Sequence, residues 1–198
     1  MIYDDTNKLI YIHVPKTAGT SISTTLASKI KKCHLPVRAL LNDQFRESIK
    51  HNFNWGKVNM SRWDEHFKNL RERWEEYTTF TVVRNPWDRL VSDYHYNLNK
   101  GIEPRTFEQL VKDLYQHRGI WKETQFYWLC DDNNNIPVNK ILKFESLQND
   151  FKQIISTVSL PHKNSTNHLN YRKYYTTETE EIVREFFIDD ITTFNYHF

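Results

Sequence analysis

Residues 10–21 read IYIHVPKTAGTS, and the abrupt change of character inside this stretch constrains the fold more than any other feature of the chain. A short apolar run that is bounded by polar residues and closed by Pro15 is too short for a helix, so residues 8–14 are predicted to be a buried strand. The chain then becomes polar at once through Lys16, Thr17, Ala18, Gly19, Thr20 and Ser21. Residues 20–32 can continue as a helix, with Thr20 or Ser21 as its cap. A strand that passes into a helix through such a loop presents unpaired N–H groups at the positive end of the helix dipole, which suits a phosphate-like anion. Lys16 adds a mobile cation, Gly19 permits close backbone approach, and Thr17, Thr20 and Ser21 supply hydroxyl donors. The competing reading is an ordinary strand-to-helix turn with a lysine in solvent. The triphosphate-binding pattern G-x-x-x-x-G-K-[ST] carries its lysine after the last glycine. Here Lys16 precedes Gly19, so that pattern does not name the anion.

A second cluster runs from Arg84 to Ser92 in FTVVRNPWDRLVSDYHY. Residues 77–83 are rich in β-branched and aromatic side chains and are predicted to be a strand, with a turn at Asn85-Pro86 and a helix from residue 87. An arginine at the C-terminal end of a strand lies in the crevice where open α/β sheets bind ligands, and its planar fork suits a phosphate. Ser92 can reach the same group from the helix. The alternative is that Arg84 pairs with Asp88 while Ser92 faces water.

The remaining elements follow the same alternation. Residues 63–76 are predicted to be helical, residues 106–115 form a helix capped by Thr106, residues 131–137 form a solvated turn, and residues 138–144 a third strand. Residues 147–158 and 177–190 carry apolar side chains at helical spacing. No internal repeat is visible, and the pattern indicates one α/β domain, residues 1–198, with a parallel sheet. Net charge is only +2, so a nucleic-acid partner finds no support, and a small anionic ligand fits better. Cys33 and Cys130 are too few and too far apart for a disulfide framework or a zinc motif, which makes a reducing compartment the default. The N-terminus has acids where a signal peptide would be basic, and no run reaches the roughly 18 apolar residues of a membrane span, so a cytoplasmic location is expected.

Two separated anion clusters on one sheet suit a ligand with two anionic ends. IYIHVPKTAGTSI together with FTVVRNPWDRLVSDYHY resembles the sulfotransferases that use 3'-phosphoadenosine-5'-phosphosulfate (PAPS). The resemblance continues through ILKFESLQNDF and, in the C-terminal part, through LPHKNSTNHLNYRKYY onward, which looks like the carbohydrate sulfotransferase-like branch. Only residues 33–65 are left unanchored. It implies a three-layer P-loop NTPase-like α/β fold, its central, mainly parallel sheet flanked by helices. It implies further that Lys16, Thr17, Ala18, Gly19, Thr20 and Ser21 hold the phosphosulfate, that Arg84 and Ser92 take the 3'-phosphate, and that the acceptor is a hydroxyl, on a saccharide.

Sulfuryl transfer, treated like phosphoryl transfer, depends mainly on positioning and charge stabilisation, which Lys16 and the loop N–H groups can supply without a metal. The acceptor hydroxyl calls for a base of near-neutral pKa, and His66, similar in placement to the family's His-bearing segment, is the first candidate, against an exposed surface histidine. His13 reads as a core histidine. His162, His168, Arg172 and Lys173 can serve substrate or nucleotide, or simply occupy surface. In WKETQFYW, residues 121–128, the aromatics read as core more readily than as a sugar-stacking or adenine-contacting wall, and Gln125 is the polar residue to test. Other readings are a P-loop kinase, which the GK[ST] order does not support, and a catalytically silent nucleotide-binding module.

Overall fold

The computed structural model describes residues 1–26, 35–50, 60–116, 123–156, 159–161 and 168–198. It begins with a hairpin, β1 (Ile2–Asp4) antiparallel to β2 (Leu9–Ile12), with Ile2 opposite Tyr11 and Asp4 opposite Leu9. Asp4 builds the turn between them: its Oδ1 accepts the Thr6 and Asn7 N–H groups at 2.9 and 3.2 Å, and its Oδ2 accepts Asn7 Nδ2 at 2.8 Å. Strand β1 lies outside the sequence expectation because three residues are too few to display an alternation.

After the loop come α1 (Gly19–Thr25), α2 (Val37–Leu41), α3 (Asp43–Lys50), α4 (Met60–Trp74) and then β3 (Thr78–Val83). Helices α5 (Pro86–Asn99), α6 (Phe107–Lys112) and α7 (Gln125–Leu129) lead to β4 (Lys140–Lys143), followed by α8 (Leu147–Phe151), α9 (Thr177–Phe186) and α10 (Ile188–Phe194). The sheet order is β1-β2-β3-β4, with β2 and β3 in parallel register from Leu9↔Thr78 to Ile12↔Thr81, and β3 and β4 from Phe80↔Lys140 to Val83↔Lys143. The three predicted strands are therefore neighbours whose C-terminal ends open on the same edge.

Alternation along the central strands feeds two cores. Ile10, Ile12 and Val83 pack against Val37, Leu40, Phe67, Leu70 and Trp128 of α2, α4 and α7. Leu9, Tyr11, Phe80 and Val82 pack on the other face against Ile22 of α1 and Leu147 and Phe151 of α8. Helices on both faces of a mainly parallel sheet make the expected three-layer α/β arrangement. A third cluster joins α5, α6 and α9 through Trp87, Leu90, Phe107, Leu110, Val183 and Phe187. Each such large side chain contributes about 1.5–3 kcal/mol of burial.

Three expected helices have different limits. The helix of residues 20–32 begins at Gly19 and reaches a C-cap at Leu26; residues 27–32 lie outside the described residues, as does Cys33. The helix of residues 147–158 stops at Phe151, where the backbone tightens so that Ile154 N–H bonds to Phe151 C=O at 2.9 Å; residues 157 and 158 are outside the described set. The helix of residues 177–190 is two, jointed at Phe187, whose buried ring packs into the third cluster.

Candidate functional site

The loop after β2 owes its shape to backbone torsion. Lys16 and Ala18 both have φ 67, a left-handed conformation that costs a non-glycine residue of order 1 kcal/mol and recurs at ligand sites. Ala18 is the N-cap of α1 and makes no side-chain cap bond, so neither Thr20 nor Ser21 caps the helix as expected. The buried Thr17 instead turns its hydroxyl inward and donates to Val14 C=O at 2.8 Å, closing the loop on the strand. Gly19 is required for an internal reason. A Cβ there would stand 1.7 Å from His13 Nε2, so the imidazole occupies the space that any side chain would need. His13 is buried, with its ring stacked on Tyr11 at 5.6 Å, which fits its reading as a core histidine.

Lys16 is half-buried, and its Nζ lies 3.8 Å from the centroid of the Tyr96 ring on α5. Burial pushes its pKa down to about 8, opposed by Asp93 and assisted by the neighbouring charges of Arg84 and Lys100. At neutral pH it is therefore mostly an ammonium, less hydrated than a surface lysine and more available to an anion.

Arg84 follows β3 directly and is buried. The Asp88 pairing weighed from sequence is present, Nε lying 2.8 Å from Asp88 Oδ2, and Nη1 makes a contact no sequence signal indicated by donating to the Lys16 carbonyl at 3.2 Å. Its plane is backed by the Phe144 ring at 4.1 Å. The backbone of Arg84 is clamped by Gln125, whose side chain accepts the Arg84 N–H and donates to the Arg84 C=O, both at 2.8 Å. Gln125 is wholly buried and also donates to Asp190 Oδ2 at 3.2 Å. Asn85 caps α5 by accepting from Trp87 and Asp88, while its own N–H is bound by Glu145 Oε1 at 2.7 Å. Ser92 is buried on α5 rather than facing water, on the helical stripe of Asp88 and Tyr96.

The structure thus joins Lys16, the loop and Arg84, and sets Ser92 on the helix beside them. His66 has a different setting from the expected one. It is buried on α4, with its ring 6.0 Å from that of Tyr3 in β1. Burial, helped by the N-terminal charge and opposed by a hydrogen bond to the Met1 backbone, lowers its pKa to about 4. Burial thus makes this ring a weaker base than an imidazole in water. Of the further candidates, His168 stacks on His95 at 5.5 Å, and Arg172 lies over the rings of Tyr171 and Phe198. His162 and Trp121 lie outside the described residues, whereas Trp128 is core, as expected. Sequence reading missed Tyr96, Phe144 and the His13–Gly19 contact. The four-residue step from Ser92 to Tyr96 was the signal available for the first; the other two carry none. Among the described residues, no three His, Cys, Asp or Glu side chains gather as a metal site, and no helix is long and apolar enough to cross a membrane.

Comparison with known proteins adds to this geometry. A family model described as "Sulfotransferase family" matches residues 1–197. Among solved structures, a sulfotransferase from Alicyclobacillus acidocaldarius is 13% identical, with 97% of this chain and 91% of that one covered and a TM-score of 0.39. A search of curated proteins found no match.

Proposed function

This chain belongs to the sulfotransferase family, and from that premise we propose that it moves a sulfuryl group from PAPS to an acceptor hydroxyl on a saccharide. The observation that supports this reading is the 3.2 Å bond from Arg84 Nη1 to the Lys16 carbonyl, which brings the two clusters side by side at the C-terminal ends of adjacent parallel strands. The residues present fit a donor with two anionic ends. Lys16 and the backbone of Thr17, Ala18, Gly19, Thr20 and Ser21 would hold the phosphosulfate, and Arg84 with Ser92 the 3'-phosphate. The donor supplies the activated sulfuryl group.

The chain's own part is positioning and charge. The left-handed residues at 16 and 18 turn the loop tightly, a backbone of the kind from which anion-binding concavities are built. Lys16 places positive charge where the departing phosphate oxygen gains negative charge, at a half-buried position where water screens it less. Arg84 can steady the loop through the Lys16 carbonyl while its charge faces the second anion. The saccharide acceptor rests on the likeness of the C-terminal segment to the carbohydrate branch.

Calorimetry with adenosine 3',5'-bisphosphate and with ATP, on the wild type and on Lys16→Ala and Arg84→Ala, tests the reading. The bisphosphate should bind more tightly than ATP, and each substitution should weaken it by about tenfold or more, as loss of a charge-assisted bond implies. Preference for ATP, or unchanged affinity in both variants, refutes it. Transfer of labelled sulfate from PAPS to a panel of saccharides then identifies the acceptor.

A further inference from the structure

Ser92, Tyr96 and Lys100 recur at four-residue steps along α5 and its C-cap, so they form one stripe on the side of the helix that meets the loop. Two ammonium groups converge on the middle member. Lys16 Nζ stands 3.8 Å from the centroid of the Tyr96 ring, and Lys100 Nζ stands 4.3 Å from the same centroid while donating to the Tyr96 hydroxyl at 2.5 Å. Both distances are well inside the roughly 6 Å range in which an aromatic face attracts a cation.

We infer that Tyr96 and Lys100 are positioning residues for Lys16, the ring fixing where its ammonium sits and the second lysine controlling how readily that ammonium gives up its proton. The inference rests on the assignment of Lys16 as the cation of the transfer site. The two effects have opposite signs. The negative ring face favours the charged form of Lys16, and the like charge of Lys100, brought in by the hydroxyl, disfavours it. The other charged groups acting on Lys16 are Asp93 of α5, which favours the charged form, and Arg84, which joins Lys100 against it. Tyr96 and Lys100 are both exposed, so they can be changed without opening a core. Burial sets Lys16 as a lysine that is charged at neutral pH and loses that charge a short span above it, and the stripe trims that point from both sides.

The test follows the Lys16 ammonium directly, by NMR of full-length protein labelled at the lysine ε-carbons, the Lys16 signal being identified by its loss in Lys16→Arg. Tyr96→Leu should place the titration midpoint of Lys16 about half to one pH unit below that of Tyr96→Phe, since both variants release Lys100 and only the first removes the ring. Lys100→Met should raise it by about half a unit, and Tyr96→Phe, which keeps the ring and releases Lys100, should move it in the same upward direction. The alkaline limb of kcat/KM should follow each shift. Equal midpoints in Tyr96→Leu and Tyr96→Phe, together with an unmoved one in Lys100→Met, overturn the inference, because a merely structural Tyr96 would change Tm alone. Midpoints that move without the activity limb uphold the tuning of Lys16 and refute its catalytic assignment. Should Tyr96→Leu fail to fold, the two upward shifts decide the matter.

Discussion

Replacing Gly19 by alanine isolates one contact on which the whole loop depends. The added Cβ would lie 1.7 Å from His13 Nε2, 2.2 Å from Cδ2 and 2.3 Å from Cε1, so it would overlap the edge of a buried ring. Carbon and nitrogen atoms not bonded to each other pack at about 3.5 Å or more, and a shift of a few tenths of an ångström cannot close that gap. The imidazole has to leave its place against Tyr11, or α1 has to move away from β2. Overpacking of this kind costs about 1–3 kcal/mol, and a full ring displacement belongs at the upper end. Against it stands the helix-propensity gain of about 1 kcal/mol from Gly to Ala at the first residue of α1. The expected net loss is about 2 kcal/mol, a fall in Tm of roughly 4–8 °C for a chain of this size. Thermal and urea unfolding of Gly19→Ala, His13→Ala and the double variant measure it as a cycle. With the ring gone, the alanine has room, so the double variant should be more stable than the sum of the single effects predicts, by about 1–3 kcal/mol. Additive effects, or a Gly19→Ala protein as stable as wild type, would refute the claim that His13 is what demands glycine.

Gln125→Leu removes the clamp on the Arg84 backbone and leaves a buried N–H and C=O without that partner, at a cost of at least about 2 kcal/mol. Unfolding experiments check the loss, and calorimetry should show weaker binding of adenosine 3',5'-bisphosphate, since the arginine loses its anchor; unchanged affinity would place Arg84 outside the nucleotide site. His66→Ala should destabilise the protein by about 1–2 kcal/mol through lost packing while leaving kcat of the folded enzyme within about threefold. Because its folded pKa of about 4 lies below the ordinary 6.5, His66 binds its proton more readily in the unfolded chain, so wild-type stability falls as pH drops from about 6.5 to about 4 and the variant lacks that sensitivity. A hundredfold loss of kcat in His66→Ala with nucleotide affinity intact would instead make His66 the base.

What could be read in advance was local. Asn85 and Pro86 announce the start of α5, Thr106 opens α6 with the hydrogen bonds of a capping box, and the β-branched run before Arg84 is β3. What escaped lay in pairings that periodicity does not record. β1 is held by an antiparallel partner and an Asp4 turn, and α2 and α3, five and eight residues long, are too short to stand out in a stretch of mixed aromatic and charged residues. His66 shows the limit most clearly. Asp64, Glu65 and Lys68 close to it in sequence suggest an exposed face, yet Tyr3 of β1 stacks on the ring and burial lowers its pKa.

The order strand, loop, helix and the two clusters of anion-binding residue types follow from the sequence alone, because turn chemistry and alternation act over a few residues and need no distant partner. That Lys16 and Arg84 are neighbours was decided only by the tertiary structure, since they lie 68 positions apart and the parallel register of β2 and β3 brings them together. The packing of α7 on the sheet, through Trp128 and Leu129 against Val83, explains why Gln125, 41 residues beyond Arg84, can hold its backbone. Residue types specify which groups are able to bind an anion; packing specifies which of them are held side by side.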